Sequence, residues 1–172
     1  MNIATIGYEK SSLEDFLETL SVAGIKTLID VRQLPLSRRK GFSKRALAEA
    51  LETVGIEYVH LKGLGDPKEG REAAKAGRYG DFLKIFSSHM KTPEFKSSIE
   101  RAVSIIEKEA ACLMCYERNP EKCHRKLVAE AILGIIGVKI KHLGVSIGVA
   151  SNGSKNRTRE NANPRESFTT GR

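Results

Sequence analysis

Two hydrophobic periods take turns along the chain. Residues 2–6 are a short β-prone run. After it Leu13, Phe16, Leu17 and Leu20 recur on one helical face, with Ser11 and Ser12 as N-cap residues and Gly24 as the stop. A β-branched run at 27–32 predicts a second strand that ends in charge. A helix capped by Ser43, carrying Leu47 and Leu51 and closed by Gly55, follows it, then a third strand at 56–61 and a turn at 62–67. Residues 69–78 are charged and rich in Ala and Gly, and read as an excursion or lid. Helices at 80–90 and 94–109, the second with Thr92 as cap and Pro93 at its first position, lead to an apolar fourth strand at 110–116. A helix at 124–136, stopped by Gly137, and a fifth strand at 138–143 complete the pattern.

Strands joined through helices need crossover connections, so the sheet is expected to be mostly parallel. The sequence therefore predicts an α/β three-layer sandwich, a mostly parallel sheet of about five strands with helices on both faces. One domain over residues 1–145 accounts for it, consistent with a chain of 172 residues. From 146 to 172 Asn, Ser, Gly, Thr and Arg dominate, and a disordered basic tail is expected.

Charge narrows the partners. Twenty-nine Lys and Arg against 21 Asp and Glu give +8 at neutral pH, a balance that favours an anionic small molecule or nucleic acid. With no Trp and 6% aromatic residues, a broad base-stacking platform is not expected. No apolar run approaches the roughly 20 residues that cross a bilayer, so no membrane partner is expected. Residues 1–7 lack the basic and long apolar regions of a signal peptide, which points to a cytoplasmic protein. An odd number of cysteines, three, argues for free thiols rather than a disulfide framework. Oligomeric state is not legible.

In parallel α/β sheets the ligand site lies beyond the carboxyl ends of the strands. The segments after the strands hold Tyr8; Asp30, Arg32, Ser37 and Arg38; and Cys115, Glu117, Cys123, His124 and Arg125. The stretch 115–125 joins the fourth strand to a helix and resembles an anion cradle, in which backbone N–H groups, His124 and Arg125 meet an oxyanion. The same field is expected to lower the pKa of Cys115 or Cys123 and supply a thiolate; the alternative is that both are packing residues, and a redox pair is a further possibility. Asp30 is read as a general base or as the orienter of Arg125 or His124; the alternative is a local ion pair with Arg32 that terminates the strand. Tyr8 offers a hydroxyl or simply packs, and the basic turn 37–40 binds phosphate or is a solvated loop. His60, His89 and His142 read as structural. A zinc set of Cys112, Cys115, Cys123 and His124 fails on geometry, because strand residues three apart face opposite ways; Cys112 is assigned to the core, and neither metal nor cofactor is expected.

Thr5-Ile6-Gly7-Tyr8, Asp30-Val31-Arg32 with Pro35, Ser37-Arg38 and Phe42, Leu64-Gly65, Cys115-Tyr116-Glu117 and Cys123-His124-Arg125 resemble the successive motifs of the bacterial and archaeal domain of unknown function 488 family, over about residues 3–143. Glu9 and Asp66 depart from its pattern. The resemblance implies a fold and a site made of Tyr8, Asp30, Arg32, Pro35, Ser37, Arg38, Cys115, Glu117, Cys123, His124 and Arg125, but no substrate. A weaker similarity to rhodanese-like domains lies in the strand ending Asp30-Val31-Arg32 and the strand, cysteine, loop, helix order around Cys115. The leading expectation is an enzyme-like domain whose pocket binds an anionic substrate, a nucleotide or nucleic acid, and acts as a hydrolase or base-excising enzyme. Asp30, Cys115, Glu117 and His124 are the catalytic candidates, and Tyr8, Arg32, Ser37, Arg38, Cys123 and Arg125 the binding ones. Rhodanese-like sulfur transfer through Cys115 and a non-catalytic nucleic-acid-binding module are the alternatives.

Overall fold

The computed structural model describes residues 1–151. In chain order the strands are β1 (Asn2–Gly7), β2 (Thr27–Asp30), β3 (Glu57–His60), β4 (Ala111–Cys115) and β5 (Lys139–Leu143). The helices are α1 (Leu13–Val22), α2 (Lys44–Glu52), α3 (Lys68–Lys75), α4 (Tyr79–His89), α5 (Pro93–Ile106) and α6 (His124–Ile136). The strands form one sheet in the order β3-β2-β4-β1-β5, every neighbouring pair parallel. The three-layer α/β sandwich expected from the sequence is the fold. The tail expected from 146 lies outside the described residues from 152 onward.

The period of two along each strand sorts side chains into two cores. Leu28, Cys112 and Met114 pack with Phe16 and Leu20 of α1 and Leu47 and Leu51 of α2. Ile29, Leu113 and Cys115 face the other way, onto Phe86 of α4, Ile99 of α5 and Val128 of α6. Cys112 is therefore separated from Cys115 by the sheet, as its strand position requires.

Local chemistry sets the ends of the elements. The Ser12 hydroxyl accepts from Asp15 N at 3.1 Å to start α1, the Thr92 hydroxyl accepts from Phe95 N to start α5, and Gly137 takes the left-handed conformation that stops α6. Ser43 departs from its expected role. Its hydroxyl accepts from Ser37 N at 3.1 Å and donates to Ser37 O, so it braces the basic turn instead of capping α2. The stretch at 69–78 is also corrected: most of it is helix α3, which buries only Gly70 and Ala73. β2 ends at Asp30, before the expected 32, because the Asp30 carboxylate accepts from Arg32 N at 3.0 Å and turns the chain.

Two glycines let the carboxyl edge close up. A β-carbon on Gly7 would lie 1.9 Å from Glu117 O, and one on Gly65 2.4 Å from Gln33 N. Both contacts are with backbone, so no side chain fits there. The end of β1 is thus laid against the loop after β4, and the turn after β3 against the loop after β2.

Candidate functional site

At the end of β2 a buried ion pair organises one side of the sheet edge. Asp30, fully buried, accepts from Arg32 Nε at 2.9 Å and Nη2 at 2.6 Å, and from the Tyr58 hydroxyl at 2.6 Å. Arg32 Nη1 donates to the Tyr8 hydroxyl and to Phe42 O, each at 2.9 Å, and the Tyr8 ring stacks on Phe42 with centroids 4.4 Å apart. Burial opposes the guanidinium charge, but the Asp30 carboxylate more than offsets it and pushes Arg32 further up. Burial and the same carboxylate push the Tyr58 hydroxyl up. The guanidinium is engaged on all three nitrogens, by Asp30, Tyr8 and Phe42 O. Asp30 therefore pairs with Arg32 where the strand ends, the local ion pair that the sequence offered as the alternative, and not with Arg125 or His124.

The loop from β4 to α6 builds the other side. Arg125 is fully buried; it donates to Thr5 Oγ1 at 3.3 Å, to Arg118 O at 3.2 Å and to Glu117 O. This guanidinium is a staple on loop carbonyls rather than an oxyanion ligand, a correction to the cradle read from the sequence. What it fixes is the backbone of Glu117, whose half-buried carboxylate accepts from the Cys115 thiol at 3.4 Å.

His124, the first residue of α6, donates from Nε2 to Val31 O at 2.9 Å. A carbonyl only accepts, so the ring keeps its proton on Nε2 and turns Nδ1 to the thiols, 3.7 Å from Cys115 Sγ. The ligand atoms of Cys115, Cys123 and His124 all lie within 4.8 Å of one another, a spacing open to a metal ion. Burial opposes charge on His124, but the bonds to Cys123 and Val31 O and the Asp66 charge prevail and push it up to about 9. The expected lowering of a thiol pKa is overturned. The Cys115 to Cys123 hydrogen bond pulls Cys115 down, yet burial and the Glu117 charge outweigh it. Burial pushes Cys123 well above its ordinary value.

Between these two sides opens a cleft of about 590 Å³. Tyr8, Arg32, Ser37, Arg38, Cys115, Glu117 and His124 line it; Asp30, Cys123 and Arg125 stand behind its wall. Its far wall is α3, which the sequence pattern gave as an excursion or lid, and the turn before it. Arg71 donates to Asp66 O at 2.6 Å and to Gln33 Oε1, and Ala74 and Lys75 also face the cleft. The signal for this wall was Arg71, Ala74 and Lys75 at three- and four-residue spacing on one helical face. Asp66, in the turn after β3 and a departure from the family pattern, lines the cleft with Oδ1 buried and unpartnered among the described residues. Burial pushes this carboxyl up to about 6, against the pull of His124 and Arg71.

Three cations at the cleft, Arg38, Lys75 and Lys122, are exposed and have no carboxylate partner among the described residues. Leu34, Leu36 and Tyr116 add exposed apolar surface beside them. His60, His89 and His142 are structural, bonded to Arg32 O, Gly63 O and Thr5 Oγ1.

The sheet order and parallel pairing place the molecule among open parallel α/β-sheet proteins, the class whose ligands bind at this carboxyl edge. The family model described as Domain of unknown function DUF488 matches residues 12–132, and the chain belongs to that family. The matched span holds Asp30 through Arg125 and leaves Tyr8 and β5 outside, so it is shorter than the 3–143 expected. The chain has no match among curated proteins or among solved structures. Among the described residues no helix is long and apolar enough to cross a membrane.

Proposed function

We propose that the cleft binds the phosphate of a nucleotide or nucleic-acid strand and that the domain hydrolyses a bond of that substrate. The observation that carries this reading is the set of cations without a carboxylate partner among the described residues, Arg38, Lys75 and Lys122, around a cleft that also holds the Glu117 carboxylate. A cleft of about 590 Å³ suits a nucleotide-sized ligand, and Tyr116, Leu34 and Leu36 offer apolar surface to a base or sugar. Glu117, presented to the cleft by its stapled backbone, is the general base that activates water, and Asp66 is the partner acid.

Sulfur transfer through Cys115 draws little support, because burial and the neighbouring carboxylate disfavour its thiolate. A non-catalytic binding module shares the cations but gives Glu117 no task. Binding of a labelled single-stranded oligonucleotide, with nucleotides as competitors, and analysis of the products separate the two. Glu117→Gln is expected to lower turnover by about 10²- to 10⁴-fold while affinity changes by less than about threefold. Binding without product formation in the wild-type protein supports the module, and no binding at low salt removes both readings.

A further inference from the structure

We propose that Cys115, Cys123 and His124 bind a zinc-class divalent cation in the inner wall of the cleft, where Cys115 and His124 line it and Cys123 stands behind them. Two sulfurs and an imidazole nitrogen are a donor set suited to such an ion. With bonds of about 2.3 Å to sulfur and 2.0 to 2.1 Å to nitrogen, neighbouring ligands of a tetrahedral ion stand about 3.5 to 3.8 Å apart. Cys115 Sγ and His124 Nδ1 are already 3.7 Å apart, and no pair in the trio exceeds 4.8 Å.

The surroundings fit as well. Nε2 of His124 donates to Val31 O, the arrangement that fixes the ring and aims its other nitrogen at a metal. A backbone hydrogen bond from Tyr116 reaches the Cys115 sulfur, as ligating thiolates commonly receive. Cys112, whose inclusion made the four-residue zinc set impossible in the sequence, is not needed: it lies in the other core. Three protein ligands leave the fourth position for water or substrate, the pattern of reactive rather than structural zinc. Cys115 and His124 line the cleft, and the Glu117 carboxylate lies 3.4 Å from Cys115 Sγ. Binding forms two metal–sulfur bonds and one metal–nitrogen bond, and releases to solvent the protons these three atoms carry. Use of a metal-bound water in hydrolysis rests on the function proposed above; the metal site itself does not.

The test is a titration of the reduced full-length protein with Co²⁺ and then Zn²⁺, followed by absorption and with no nucleotide present. Failure here therefore leaves phosphate binding untouched, and failure of phosphate binding leaves this result untouched. The expected result is a thiolate-to-cobalt charge-transfer band of two-thiolate intensity that saturates at one equivalent and disappears when Zn²⁺ displaces Co²⁺. Cys115→Ser, Cys123→Ser and His124→Ala should each weaken binding by at least about 100-fold, and Cys112→Ala should retain the band. The wild-type spectrum decides the matter even where a buried variant does not fold. No band in the wild-type protein, a band of one-thiolate intensity, or a band that survives Cys115→Ser overturns the proposal.

Discussion

Asp30 and Arg32 carry opposite charges into the interior, and their value lies in each being complete only with the other. Removing the carboxylate strands a guanidinium that has 5% exposure and leaves Tyr58 without its acceptor. Asp30→Ala is therefore expected to destabilise the fold by about 3 to 5 kcal/mol in urea unfolding, and Arg32→Met in the same chain to recover part of that loss. A cost below about 1 kcal/mol for Asp30→Ala contradicts this account. The pair itself was legible, since two charges at the end of an apolar strand need partners. The identity of those partners was not: Tyr8, Phe42 and Tyr58 reach it from distant segments. Arg125 shows the same limit. Its partners are mainly backbone carbonyls, which every residue has, so the sequence carries no trace of them.

At the scale of elements, strands and helices with strong apolar periodicity were legible, and α3 was not. Its buried face is Gly70 and Ala73, too small to mark a hydrophobic stripe, so its charges read as a loop. The segment after β5 illustrates a contact that pattern also hides. The Asp15 carboxylate of α1 accepts from Gly148 N and Ala150 N, each at 3.0 Å. These bonds, Ala150 first and then Gly148, hold Asp15 below its ordinary value of 3.8. A carboxylate held low in the folded state adds stability that is full above the unfolded value and is lost as pH falls through the folded one. Amide exchange at Gly148 and Ala150 should consequently accelerate, relative to the intrinsic rate, as the solution is acidified below 3.8. Asp15→Asn should show the faster exchange already at neutral pH; protection that ignores both changes refutes the contact.

For the whole molecule, strand order decides what meets. β4 lies between β2 and β1, so the loops bearing Arg32, Tyr8 and Glu117 leave the sheet side by side although they are far apart in the chain. The net charge of +8 bears on the proposed binding at this edge, where Arg38, Lys75 and Lys122 have no carboxylate partner among the described residues. If Arg38, Lys75 and Lys122 each meet a phosphate of a single strand, log affinity should fall with log salt at a slope near about −2, and each alanine replacement should flatten it by about 0.7. An unchanged slope in the triple variant places the strand elsewhere. One connection crosses the sheet: His142 on the outermost strand bonds Thr5, Thr5 bonds Arg125, and Arg125 holds the carbonyl of Glu117. A relay of three side chains thus ties the rim strand to the peptide backbone beneath Glu117, so His142→Ala is expected to loosen that loop, read as faster amide exchange at 117–118.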